Sequence, residues 1–256
     1  SYRYVHNINE WLAVKACDKF MCVNPLITER IRATYPASAA KIGTQTTWVD
    51  TKVFAPTPFP ADTGLRIAFA GRLDLFKRPP LMFKTIARLR ERLGEGVEFH
   101  YMGTSDPNRF PEFDAIRNAS VLHGFKSAQG VASVLSNVHA GILTSEFEGM
   151  PFSVLETLGA GRPVCAVHLP QLESVIKDDI SGRLITRSQD EEEMSGRLAD
   201  AFIDIRARAT GRAITPEGVA AQVAEFTPAK QLARIYGNHR ELQNRRFQAQ
   251  SPTLAA

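Results

Sequence analysis

The sequence is poor in the residues that staple or anchor a chain. It has three cysteines in 256 residues, Cys17, Cys22 and Cys165, with no Cys-x-x-Cys pair, and its six histidines are dispersed. An odd, scattered set argues against a disulfide framework or a zinc site and fits buried thiols in a reducing compartment. No apolar run approaches the roughly 20 residues that span a bilayer, and no signal-peptide pattern appears, so a cytoplasmic location is expected. Positive charge is not gathered into blocks. The net charge is +4, but the 31 lysines and arginines are scattered among 27 acids, with no basic run longer than the pairs Lys77-Arg78 and Arg245-Arg246 and no extended interleaving of aromatic and basic residues. Nucleic acid is therefore not the expected partner, whereas anionic substrates or lipid headgroups agree with the balance. Internal repeats, low-complexity tracts and Asp-x-Asp motifs are also missing.

What the chain has is alternation. From Leu65 to Ala70 runs a continuous apolar strand, as in a parallel sheet covered on both faces. Gly71 to Arg78 is its loop. Pro79 to Leu93 then reads as a helix with Met82, Ile86, Leu89 and Leu93 on one side and Lys84, Arg88 and Arg92 outside. Further strands are expected at 97–102, 140–144 and 163–167, with a Gly-bearing turn and final strand over 178–185, a turn at 121–125, a turn and helix over 169–177, and helices at 128–137, from 190, and at 216–225 and 229–244. Before this lie a helix over 11–16, a short strand at 19–23, a helix over 25–34, a strand at 41–49 and an irregular linker, 50–63, holding three prolines. The acids from Asp190 to Glu193 open a helix, where its dipole favours them. The fold class is α/β, a doubly wound parallel sheet of about six strands.

The most informative stretch is Gly141 to Gly161 (GILTSEFEGMPFSVLETLGAG), a strand, an acidic loop and a helix opened by Pro151. In open α/β sheets this turn binds ligands, because the helix start presents unpaired N–H groups and a positive dipole end. With Pro151 as the first helical residue, the free donors are expected at Phe152, Ser153 and Val154, which suits a diphosphate. Glu148 and Glu156 beside such a site would repel phosphate unless they bond hydroxyls of a ribose or sugar ring. The plainer alternative leaves both as solvated loop and helix residues.

Glu148-Gly-Met-Pro-Phe-Ser-Val-Leu-Glu156, followed by Gly159-Ala-Gly-Arg-Pro-Val164, resembles the signature of retaining glycosyltransferase family 4, which has the GT-B fold. Gly71-Arg-Leu with Lys77 resembles a second motif of that family. The resemblance covers roughly residues 17–240 and implies the C-terminal, Rossmann-like half of a GT-B enzyme. It implies that residues 1–60 are the tail of an N-terminal domain and a linker, 61–227 the nucleotide-sugar-binding domain, and 228–256 a C-terminal helix and frayed tail. By this resemblance the chain begins near the end of an N-terminal domain, and this polypeptide alone is expected to bind donor weakly and to be inactive.

The implied reaction is metal-independent transfer of a sugar, with retention, from a UDP-, GDP- or ADP-sugar to an acceptor hydroxyl, without a cofactor. Carried over, Glu148 lies at the donor sugar, Glu156 at the ribose, and the backbone of Gly149, Met150, Pro151, Phe152, Ser153 and Val154 at the sugar and diphosphate. Arg72 and Lys77 meet the charge of the departing diphosphate. His123, in the Val121-Leu-His-Gly124 turn, is a candidate beside the nucleobase, with a packed or exposed histidine as the plainer reading. Catalytic roles fall to Arg72, Lys77 and Glu148. The acceptor is a carbohydrate or a lipid-linked molecule, and peripheral membrane contact belongs to the partner classes of such enzymes. One departure stands out: Pro170, Gln171, Glu173 and Ser174 replace the family's Gly pair and Pro-Glu. It keeps alive a non-catalytic nucleotide-sugar-binding module. A phosphorylase would need a pyridoxal-phosphate lysine, and a nucleotide-sugar epimerase has differently spaced carboxylates.

Overall fold

The computed structural model describes residues 2–250, with side chains from 8 to 244. Two compact units emerge, one formed by 1–48 with 226–256 and the other by 49–225. In the first unit, helix α1 (Tyr2–Ala16) precedes a three-residue strand, β1 (Phe20–Cys22). Helix α2 (Pro25–Thr34) starts where the sequence places it, because the side chain of Asn24 accepts the N–H of Ile27 at 2.9 Å and Pro25 stands in the first turn. Strand β2 (Ile42–Thr44) pairs in parallel with β1, from Phe20 opposite Ile42 to Cys22 opposite Thr44. The strand expected over 41–49 is therefore only three residues long. Its partner ends at Cys22, whose carbonyl takes the N–H of Gln45 at 2.8 Å, and beyond that point nothing is left to pair with. Val14, Cys22, Ile31 and Ile42 form the small core of this unit.

The second unit is built on six parallel strands: β3 (Leu65–Ala70), β4 (Val97–Met102), β5 (Ser120–Gly124), β6 (Ala140–Leu143), β7 (Val164–Val167) and β8 (Gly182–Ile185). Their spatial order is β5-β4-β3-β6-β7-β8. The chain winds outward from β3 in one direction and from β6 in the other, so the crevice between those two strands is the topological switch point, where ligands bind in doubly wound sheets. Helices α3 (Pro79–Leu93), α4 (Ala128–Leu135), α5 (Phe152–Gly159), α6 (Glu191–Thr210) and α7 (Pro216–Ala221) complete the unit.

Helix α3 buries a wider face than the 3.6-residue stripe predicts. Leu81, Met82, Phe83, Thr85, Ile86 and Leu89 are all buried because the helix packs on the sheet, on α6 and on a 3₁₀ stretch, Pro111–Ala119. That stretch lies in a segment that looks polar in sequence, yet its Phe113 packs against Phe83 with ring centroids 5.3 Å apart. Asp190 caps α6, accepting the N–H groups of Glu192 and Glu193 at 2.8 and 3.1 Å. The helix expected over 169–177 is a 3₁₀ turn, Pro170–Ser174.

Helix α8 (Pro228–Gln250) returns to the first unit. Lys19 pairs with Glu241 at 3.1 Å, and the Gln45 amide donates to the side-chain oxygen of Gln231 at 2.9 Å. The helix runs past its expected end at 244, and the rest of the expected frayed tail, 251–256, lies outside the described residues. Among the described residues no helix is long and apolar enough to cross a membrane.

Candidate functional site

At the carboxyl ends of β3 and β6 lies a cleft of about 690 Å³. Its floor is Ala70 and Gly71 from the end of β3 and Met102 and Gly103 from the end of β4. Gly103 is required by close approach: a Cβ there would lie 2.3 Å from the Gly71 carbonyl oxygen and from the Tyr101 hydroxyl.

One wall is the loop after β3. Asp74 caps its short turn, accepting the Lys77 N–H at 3.2 Å, and Arg78, in the left-handed region at φ 49°, turns the chain into α3 behind Pro79 and Pro80. The Arg72 side chain is 82 % exposed and held only at 3.7 Å from Asp74 Oδ2. Lys77 is different. Its ammonium pairs with Glu148 from the loop after β6, and the Ser145 hydroxyl donates to the same carboxylate oxygen at 2.7 Å. Two more bonds stitch the two loops, and a third ties the loop after β6 to the turn after β7. The Thr144 hydroxyl donates to the Lys77 carbonyl at 2.6 Å, the Glu146 N–H to the Phe76 carbonyl at 2.8 Å, and the Gln171 amide to the Glu148 carbonyl at 2.6 Å.

The other wall is the start of α5. Pro151 is the cap (φ −72°, ψ 125°) and Phe152 the first helical residue, so the helix starts one residue later than expected. The shift changes the donor set. The Val154 N–H bonds the Pro151 carbonyl at 3.2 Å, leaving the N–H groups of Phe152 and Ser153 without partners among the described residues. Val154 itself is buried, and neither it nor Gly149 lines the cleft, whereas Met150, Pro151, Phe152 and Ser153 do. One turn on, Glu156 projects into the cleft with no ionic or hydrogen-bonding partner among the described residues. Burial pushes its pKa above the ordinary glutamate value.

A cleft with three cations, Arg72, Lys77 and Lys126, two free amides and an unpaired carboxylate suits a ligand that is anionic at its centre and rich in hydroxyls at its ends. Comparison with known proteins names the family. Residues 64–204 match the family model described as glycosyl transferases group 1. The chain belongs to that family. No curated protein matches it in sequence. Among solved structures, a pneumococcal O-GlcNAc transferase, GtfA, solved with UDP and GlcNAc, superposes with a TM-score of 0.75 at 16% identity, over 93% of this chain and 48% of that one. Sucrose-phosphate synthase from Thermosynechococcus elongatus gives 0.70 at 18% identity over 93% and 62%. Anabaena HepE, in complex with UDP and glucose, gives 0.69 at 14% over 94% and 69%. The second unit thus has the Rossmann-like architecture of GT-B C-terminal domains, and the chain spans about half the length of the first solved structures it resembles.

Within this group 1 domain the structure gathers Arg72, Lys77, Glu148, Met150, Pro151, Phe152, Ser153 and Glu156 around one cleft. It does not bring His123 there. That ring lies on β5, stacked on His100 with centroids 5.2 Å apart, and its Nε2 is 3.1 Å from His100 Nδ1. Burial lowers the pKa of both histidines, and Glu98 holds the far nitrogen of His100 at 3.1 Å. The β5 end of the cleft is instead lined by Phe125, 81 % exposed, and Lys126. The sequence hides them because the strand ends at Gly124, whose φ of 67° swings the next residues over the cleft.

Proposed function

We propose that this chain is the donor-binding domain of a retaining, metal-independent family 4 glycosyltransferase that uses a nucleoside-diphosphate sugar. The observation that carries the reading is the arrangement at the switch point: Arg72 and Lys77 on one wall, and on the other the N–H groups of Phe152 and Ser153 and the carboxylate of Glu156, which have no partner among the described residues, in a cleft of about 690 Å³. That volume lies within the range of about 300–1,000 Å³ for small-molecule sites.

In the proposed complex the diphosphate lies on the α5 amides between Arg72 and Lys77, Glu156 accepts from the ribose hydroxyls, and Glu148 orients the donor sugar. When the bond from the anomeric carbon to the phosphate oxygen breaks, its electron pair leaves with the nucleoside diphosphate. Arg72, Lys77 and the amides are aimed at that growing charge, which is the role a metal plays in other transferases. An acceptor hydroxyl, on a carbohydrate or a lipid-linked molecule, forms the new bond on the same face and gives its proton to the departing diphosphate oxygen. UDP, GDP and ADP conjugates are all candidate donors. We place the enzyme in the cytoplasm, in peripheral contact with a membrane where its acceptor is lipid-linked.

Calorimetric titration with UDP, GDP, ADP and their sugar conjugates tests the reading. One base should bind with a Kd between about 1 mM and 1 μM, and Glu156→Ala should weaken it. Absence of binding by all of them would overturn it. A second reading, a nucleotide-sugar-binding module without catalysis, is favoured by the altered turn at Pro170–Ser174, where Gln171 bonds the Glu148 backbone and lies outside the lining of the cleft. Sugar transfer or donor hydrolysis by a longer protein containing this chain would exclude that module.

A further inference from the structure

The amino-terminal edge of the six-stranded sheet carries a second cavity, of about 750 Å³. Its walls are the segment 58–64 that enters β3, the last turns of α6 and the stretch leading into α7, with Phe59, Ile205, Ile214 and Pro216 supplying apolar surface. Strand β3 begins at this cavity with Leu65 and ends at the cleft with Ala70. The two sites therefore sit at opposite ends of one strand, about 17 Å apart by the rise of an extended chain.

His139 lines the cavity and is only 9 % exposed. Its Nδ1 accepts the backbone N–H of Arg66 at 3.0 Å, which leaves the ring proton on Nε2. Burial lowers the pKa of the ring to about 4, so at neutral pH it is an uncharged donor. That donor is buried and meets no acceptor among the described residues. Buried polar groups are almost always paired, so an orphan N–H in a cavity wall is a recognition element waiting for an acceptor.

The charges around the cavity cancel. Asp62 and Glu217 face Arg206 and Arg212, Asp62 is held by Arg66 at 2.6 Å, and Arg206 donates to the Thr63 carbonyl. A charged ligand gains little from such a set, whereas a carbonyl oxygen gains the His139 proton.

We infer that this cavity binds a small, largely apolar, uncharged molecule that presents one carbonyl-type acceptor to Nε2–H of His139. No residue of the nucleotide cleft takes part. The ligand would lie against the segment 58–64, whose start is fastened by Arg162 through Thr57 and Pro58, and would brace that segment against α6.

The test uses the whole chain and three probes of one size: acetophenone, ethylbenzene, which lacks the acceptor, and benzoate, which adds a charge. Binding is followed by nuclear magnetic resonance of ¹⁵N-histidine-labelled protein. Acetophenone should bind about fivefold more tightly than either relative, the net worth of one hydrogen bond, and should shift the His139 Nε2–H resonance. Ala209→Trp, on the half-buried α6 wall, should abolish both effects, and Thr210→Phe, on the exposed side of that wall, serves if the first variant does not fold. Equal binding of acetophenone and ethylbenzene with a stationary His139 resonance would overturn the inference and show that water satisfies the donor. Tighter binding of benzoate, or no binding of any probe, would overturn it as well.

Discussion

Lys77 and Glu148 neutralise one another across the two loops that flank the switch point, with side chains only 22 % and 12 % exposed. Lys77 is thus already paired, and any phosphate must compete with a carboxylate for it. Glu148→Gln keeps the shape and removes the competitor. The bare nucleoside diphosphate should then bind about three- to tenfold more tightly, a gain of roughly one charge-assisted contact. The sugar conjugate should lose whatever advantage it holds over the bare nucleotide, because the group that orients the sugar is gone. Calorimetry with both ligands reads the two effects separately, and a variant that weakens the bare nucleotide would contradict this account of the pair.

Arg72 stands in the opposite condition. Its guanidinium is largely in water and 3.7 Å from the Asp74 carboxylate, so it contributes little to the fold and is free to follow a ligand. Arg72→Ala should leave the urea midpoint unchanged, to within about 0.5 kcal/mol of stability. It should weaken nucleoside diphosphate binding about tenfold at low salt, and the difference from wild type should shrink as ionic strength rises, since exposed charges are screened. Titrations at two salt concentrations check both statements.

Much of this was legible in the sequence. The apolar run from Leu65 to Ala70, the proline start of α3 and the two glutamates eight positions apart point to the parallel sheet and the two loops of the cleft. Patterns of this kind report which face is buried and where the backbone turns. They do not report which side chains reach across space. That Lys77 is held by Glu148, that His123 turns to His100, and that Phe125 overhangs the cleft all depend on strand order and on where β5 stops. The one-residue error at Pro151 has a similar origin. Proline is acceptable both at the cap and at the first helical position, and only the ψ of 125° distinguishes them.

Glu156 yields a prediction whose sign is unusual for a carboxylate. Its pKa is raised by burial, with no cation to offset the loss of water. A group whose pKa is higher in the folded state contributes stability below its unfolded value, and that contribution is lost as pH rises through the folded value. At pH 7 the ionised carboxylate therefore opposes folding. Glu156→Gln should raise the thermal midpoint at pH 7, and the gain should vanish as pH is lowered to the ordinary glutamate range near 4.5. The same change should weaken nucleotide binding, since a glutamine accepts poorly from a diol. A site residue that destabilises its own fold is expected where binding is the reason for its presence. Thermal scans at both pH values, beside a titration, decide the matter.

Arg162 sits in the Gly-Arg-Pro-Val run that the sequence offers as a motif, yet it touches no part of the cleft. It is fully buried, and burial brings its pKa down to about 10. Among the described residues no carboxylate pairs with it. Its guanidinium instead donates to the carbonyls of Leu135, Ser136, Thr57 and Pro58 and to the Thr57 hydroxyl, at 2.7–3.0 Å, and lies 5.2 Å from the centroid of the Phe59 ring. The side chain thus replaces hydration with backbone dipoles and fastens the chain at 57–59 to the segment between α4 and β6. A lysine carries the charge but not the planar fork, so Arg162→Lys cannot serve so many acceptors. Arg162→Met removes the charge and strands the carbonyls. Each variant should cost about 3–5 kcal/mol in urea unfolding, the range for breaking a buried charged network. The loss should also appear locally: brief proteolysis of either variant should cut within 58–64 before the six-stranded unit unfolds. If Arg162→Met costs less than about 1 kcal/mol and leaves that segment uncut, other packing holds the linker, and Arg162 is not its fastening.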